Sequence, residues 1–144
     1  MHSRRIKNNW HIIKGQPLTE LDKKVLYYQN KGHLVPSRKL MKTAEHIEGI
    51  RRSSVVNTGV LDLVAREIKA GMSTAEIDKL VYDYTVSHGA IPAPLNYEGF
   101  PKSVCTSVNE VVCHGIPSPD EVLREGDIVN IDCSTIKDGF FSDS

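Results

Sequence analysis

The clearest hydrophobic pattern in the 144-residue chain lies between residues 73 and 89. Ile77, Leu80, Val81 and Tyr84 recur there at helical spacing. Ser73, with Glu76 three residues on, forms a capping-box signature before them, and Gly89 is a natural stop. A longer helix is predicted from after Thr43 toward Gly71, on a stripe of Ile47, Ile50, Val60, Leu61, Val64 and Ile68. Gly49 and Gly59 weaken it, each by roughly 1 kcal/mol against alanine. A third, short helix is predicted in "LTELDKKVLYYQNKG", capped by Thr19 and closed by Gly32. "GHLVPSRK" then reads as an extended linker, because Pro36 disfavours helix just before it.

Beyond Gly89 the pattern changes. "AIPAPLNYEGFP" is too rich in proline and glycine for regular structure. Four strand-like stretches come next: "SVCTSV", "EVVCHGI", "DIVNIDCSTI" and "GFFSDS". Two helices and then a run of strands predict an α+β fold, with helices on one face of a mainly antiparallel sheet.

The last two strands are joined by "KDGF", and Asp138-Gly139 suits a two-residue type I′ turn. That register places Lys137 opposite Phe140 and Ser134 opposite Asp143. Asp132, two residues from Ser134, falls on the same face, diagonal to Asp143. Asn130 shares that face, while Ile131, Cys133 and Phe140 occupy the other. Two carboxylates this close repel unless a cation lies between them, and shared carboxylates are what two-metal hydrolases use. A solvated hairpin face with two acids has the same spacing, and on spacing alone it is the better reading.

Composition narrows the picture. Apolar content is 40%, enough for a core, and no apolar run approaches the roughly 18 residues of a membrane span. The basic start "MHSRRIKNNW" leads into no apolar stretch, so a secretory signal is not expected. Three cysteines without a CxxC pair fit a reducing cytoplasm. The net charge of zero hides a division: residues 1–42 hold ten Lys/Arg against two Asp/Glu, and the acidic excess lies in residues 43–144. The expected organisation is therefore a basic arm and linker over 1–42, joined to an acidic body over 43–144.

Two further stretches carry candidate chemistry. His114 in "EVVCHGIPSP" precedes Gly115 and a proline turn, where it could contact substrate, bind metal or carry a proton; a hydrogen-bonded loop histidine fits a lone residue better. Cys113 beside it lacks a second ligand at zinc spacing. In "NYEGFPKSVC", Tyr97, Phe100 and Cys105 surround a Gly-Pro bend; they read equally as core or as a pocket for an unbranched side chain such as methionine.

Taken together, "PAPLNYEGFPKSVCTSVNEVVCHGIP" and "LREGDIVNIDCSTIKDGFFSDS" resemble the type I methionine aminopeptidases, from about Thr43 to the end. The resemblance implies a cytosolic metallohydrolase of the pita-bread fold, which removes the initiator methionine from nascent chains with a small second residue. In that family two divalent cations are held by two aspartates, one histidine and two glutamates. The aspartates match Asp132 and Asp143; His114 matches a histidine that binds substrate and stabilises the transition state; Tyr97, Phe100 and Cys105 match the methionine pocket. Phe100 stands where tyrosine is common, and Pro94 where some members have cysteine.

The other three ligands belong beyond the second aspartate, whereas this sequence stops at Ser144. The expectation is therefore the N-terminal half of the catalytic domain, with two of five ligands and no activity alone. Partners implied are nascent N-termini beginning with Met, and neither membrane nor DNA. The basic arm suggests docking on ribosomal RNA phosphates, although folding against the acidic body or remaining a solvated tail accounts for it more simply. The same fold also hosts X-Pro peptidases, creatinase-like hydrolases and non-catalytic binding proteins. "NYEGFPKSVC" favours methionine over the first two, and the two aspartates favour an enzyme over the last.

Overall fold

The computed structural model describes residues 10–144, so the basic "MHSRRIKNN" that opens the arm lies outside the described residues. The chain divides into two compact units, Met1–Thr43 and Ala44–Ser144.

In the first unit, helix α1 spans Glu20–Asn30. Thr19 caps it as the sequence predicts, and the structure adds a capping box in which Asp22 returns the contact. Asp22 is buried and serves as a hub. It accepts from the Thr19 backbone N–H (2.9 Å), the Thr19 hydroxyl (2.6 Å) and the Trp10 indole N–H (2.9 Å), and it pairs with Arg38. The Arg38 guanidinium also lies 4.5 Å from the centre of the Trp10 ring. The linker has no regular structure over residues 33–37, as expected, but departs from the extended form at its end. Arg38–Leu40 makes a 3-10 turn, capped by the Ser37 side chain, because Pro36 restrains only the residues before it.

The second unit carries the longer helices. Helix α2 spans Ala44–Glu67 and α3 spans Thr74–Ser87, the latter capped by Ser73 and Glu76. Of the expected aliphatic stripe, Val60 and Val64 are buried in the core and Leu61 and Ile68 pack against it, but the buried face also takes in small and polar residues. That face is Gly49, Ser53, Val56, Asn57, Val60 and Val64, while Ile47 is exposed. The two glycines that weaken the helix pattern have a packing reason. A Cβ on Gly49 would lie 2.5 Å from the Phe140 ring, and one on Gly59 would overlap the Tyr84 hydroxyl.

Five short strands complete the unit: β1 Ile91–Pro92, β2 Cys105–Val108, β3 Val129–Asp132, β4 Ser134–Lys137 and β5 Phe140–Asp143. They form two antiparallel sheets, β1-β4-β5 and β2-β3. Helix α2 packs against β4 and β5, and α3 against α2 and β1. A core of Val60, Val64, Ile77, Val81, Val104 and Cys133 fills the interior.

Three strand expectations need correction. "IP" is a strand despite its proline, because β1 is an edge strand, where a missing N–H costs no ladder bond. "EVVCHGI" is not a strand: Asn109 turns the chain at a φ of 52°, and Val112 is almost fully exposed, with no sheet to cover it. "DIVNIDCSTI" is two strands rather than one. Cys133 is the point where the chain passes from the two-stranded sheet to the three-stranded one.

Candidate functional site

The β4–β5 hairpin has the register that "KDGF" dictates. Asp138 and Gly139 both have positive φ, 51° and 80°, as a type I′ turn requires. Lys137 faces Phe140 and Ser134 faces Asp143. Alternation then divides β5. Phe140 and Ser142 point toward α2, where Ser142 Oγ lies 2.9 Å from Ser53 Oγ, and Phe141 and Asp143 point to the opposite side. The Ser134 hydroxyl donates to Asp143 across the pair.

Asp132 ends β3, opposite Cys105 of β2, so it reaches the same side from the neighbouring sheet rather than along one continuous strand. The Ser144 N–H donates to the Cys133 carbonyl at 3.2 Å, which carries the hairpin register one pair further, to the residue next to Asp132. Asp132 is half-buried and Asp143 exposed. Among the described residues no Lys, Arg or His forms an ion pair with either.

His114 reaches this side through Gly115. The Gly115 carbonyl accepts from the Thr106 N–H at 2.9 Å, and the Gly115 N–H donates to Ser107 Oγ at 3.2 Å. A Cβ at Gly115 would overlap the Thr106 carbonyl oxygen, so only glycine lets the loop lie this close to β2. His114 itself has a φ of 55°.

The segment holding Tyr97 and Phe100 is a 3-10 turn over Tyr97–Gly99, closed by the Asn96 N–H donating to the Phe100 carbonyl at 2.8 Å. Helix α3 anchors the stretch between this turn and β2: Asp78 accepts the Ser103 N–H at 2.7 Å and pairs with Lys102 at 3.7 Å.

A cavity of about 850 Å³ opens where these elements meet. It gathers Tyr97, Phe100, Cys105, His114, Asp132 and Asp143, brought from a turn, two loops and three strands. Ser134, Phe141 and Glu98 line it as well and were not singled out in the sequence. Hairpin register and alternation already placed the first two beside Asp143. Glu98 had no such signal, since it depends on a φ of 47° in the middle of the turn. Burial, reinforced by the charge of Asp132 and by Cys113, pushes the Cys105 thiol up, so it remains a protonated wall of the cavity at neutral pH. Two carboxylates without a paired cation on one cavity suit a divalent ion as donors. Among the described residues, however, no group of three His, Cys, Asp or Glu side chains is placed to hold a metal.

Residues 48–144 match the family model described as metallopeptidase family M24.

The chain belongs to metallopeptidase family M24.

It is 49% identical over 105 residues to a methionine aminopeptidase of Haemophilus influenzae, a match that covers 72% of this chain and 39% of that protein. The crystal structure of methionine aminopeptidase from Rickettsia prowazekii superposes with a TM-score of 0.69 at 45% identity, covering 72% of this chain and 41% of that one. An X-Pro aminopeptidase from Thermotoga maritima superposes with a TM-score of 0.59 at 22% identity over 85% of this chain and 30% of its own, which is a likeness of fold alone. The fold is thus the α+β pita-bread type. This M24 chain spans about two fifths of the length of its Haemophilus relative. No helix of the described residues is long and apolar enough to cross a membrane.

Proposed function

We propose that this M24 chain supplies the methionine pocket and two metal-ligating aspartates of a methionine aminopeptidase acting on nascent N-termini with a small second residue. One observation carries this reading. The aromatic pair and thiol (Tyr97, Phe100 and Cys105) share a single cavity with His114 and two carboxylates that, among the described residues, have no paired cation.

Each residue then has a role. Asp132 and Asp143 would hold divalent cations, and Ser134 orients Asp143 through its hydroxyl. Divalent cations at such a site supply Lewis acidity toward a carbonyl oxygen and toward water. Tyr97 and Phe100 offer ring faces to a flexible thioether chain, and the protonated Cys105 adds a polarizable wall. His114, fixed by the Gly115 contact with β2, donates a hydrogen bond to the oxygen on which charge builds as the peptide carbonyl is attacked.

Fewer than three donors converge among the described residues, so residues 1–144 by themselves are expected to turn over no peptide. Affinity for small peptides is the direct test. Isothermal titration with MnCl2 present should show Met-Ala binding and Ala-Pro not. Equal binding of both, or tighter binding of Ala-Pro, points to an X-Pro or creatinase-like reading instead. Metal-dependent release of methionine at ordinary turnover by residues 1–144 would overturn the claim that more ligands are needed.

A further inference from the structure

Asn57 does not line the cavity, yet it reaches the chain neighbours of both aspartates. It sits on the buried face of α2 at 2% exposure. Its Nδ2 donates to Ser144 Oγ at 2.8 Å, and its Oδ1 accepts from Thr135 Oγ1 at 2.9 Å. Its backbone carbonyl lies 3.9 Å from the Cys133 thiol sulfur. Ser144 is tied in turn to the Cys133 carbonyl, through its N–H at 3.2 Å and its hydroxyl at 3.3 Å. One helical turn earlier, Ser53 Oγ donates to the Thr135 carbonyl at 3.0 Å and contacts Ser142 Oγ at 2.9 Å.

The residues gripped this way stand beside the two carboxylates. Cys133 comes directly after Asp132; Ser142 and Ser144 flank Asp143; Thr135 comes directly after Ser134, which donates to Asp143. Burying an amide and hydroxyls under a sheet is costly unless their hydrogen bonds are made, and here they are. An aliphatic side chain would fill the same space with less risk. It could not fix how far each strand slides along the helix, because apolar contact has no direction. Directional bonds fix that slide for β4 and β5, and they also hold Cys133, the residue that joins Asp132 at the end of β3 to the sheet carrying Asp143.

We propose that Asn57 is a positioning residue that sets the spacing between Asp132 and Asp143, and so the affinity of the pair for a divalent cation. This rests on the reading that those aspartates bind metal. The test uses residues 1–144 titrated with MnCl2, monitored by paramagnetic broadening of the amide resonances of residues 132 and 143. The parent chain should show localised, saturable broadening that Asp143→Asn abolishes. Asn57→Ala should weaken the apparent affinity about tenfold, the scale seen when the outer support of a metal ligand is removed. Thr135→Val, which keeps the shape and removes one bond to the amide, should weaken it in the same direction and serves if Asn57→Ala does not fold. Val60→Ala, a fully buried core variant of the same helix, controls for stability and should leave the affinity unchanged. Absence of broadening in the parent chain overturns the metal reading and this inference together. Sensitivity to Asp143→Asn with no effect of Asn57→Ala or Thr135→Val overturns this inference alone. Equal weakening by Val60→Ala also overturns it, because stability alone would then account for the effect.

Discussion

Thr106 donates its backbone N–H to the Gly115 carbonyl at 2.9 Å, and Gly115 lies so close that a Cβ there would overlap the Thr106 carbonyl oxygen. That contact fixes the residue before it, His114, at the cavity. Gly115→Ala should therefore force the loop off β2 at an overpacking cost of about 1–3 kcal/mol. Urea denaturation reads the cost, and hydrogen exchange should show Thr106 losing its protection. Full protection at an unchanged midpoint would mean that the loop has another way to pack.

Gly49 gives a prediction in which the sign is informative. Glycine to alanine inside a helix ordinarily stabilises by roughly 1 kcal/mol. Here the added Cβ would lie 2.5 Å from the Phe140 ring, so Gly49→Ala should destabilise. Shortening the ring in the double variant Gly49→Ala/Phe140→Leu should recover part of the loss. Thermal melts of the two variants decide the point, and stabilisation by the single change would contradict the packing.

The arm should respond to acid through Asp22. Hydrogen bonds from Thr19, then from Trp10, with the Arg38 charge adding to them, hold its carboxyl down to about 2 against an ordinary value of 3.8. A depressed value means that the folded arm binds fewer protons than the unfolded one. The stabilisation is thus complete above pH 3.8, declines as the pH falls, and is lost below about 2. Trp10 is the single tryptophan, so its fluorescence reports the event directly. Its emission should shift to the red across that window, and Asp22→Asn should remove the transition.

The three cysteines should separate by reactivity. Cys113 is exposed, whereas Cys105 and Cys133 are buried, with burial as the main cause raising both of their thiols. A thiol reagent at pH 8 should modify one cysteine quickly in the native chain, and all three after unfolding. Mass spectrometry should find the fast adduct on Cys113. A fast adduct on Cys105 would show that the cavity floor is open to solvent.

Local chemistry explains what could be read without coordinates. Ser73 and Glu76, or Thr19 with Asp22, make their capping contacts within four residues, so the helix starts are written where they occur. The Asp138-Gly139 turn likewise carries its own register, and that register alone puts Ser134 opposite Asp143. The family resemblance was legible because "NYEGFPKSVC", "CHGI" and the final hairpin stand in order in the chain. The α2 stripe is legible at Val60, Leu61, Val64 and Ile68, but not on the sheet-facing side, where Gly49, Ser53 and Asn57 make sense only against Phe140, Ser142, Ser144 and Thr135, far away in sequence. "EVVCHGI" looked like a strand because valine favours strands, but a strand needs a neighbour, and none lies alongside it.

The helices, the hairpin register and the residues that carry the family likeness were all settled by the amino-acid sequence, because each depends on neighbours along the chain or on order within it. Three things were left to the tertiary fold: that the chain changes sheets at Cys133, that Gly115 brings His114 against β2, and that Asn57 ties together the surroundings of Asp132 and Asp143. These rest on close approach and hydrogen bonding between distant segments. Period and composition do not encode those contacts, because each partner's preference is set by a surface that forms only once the chain has folded.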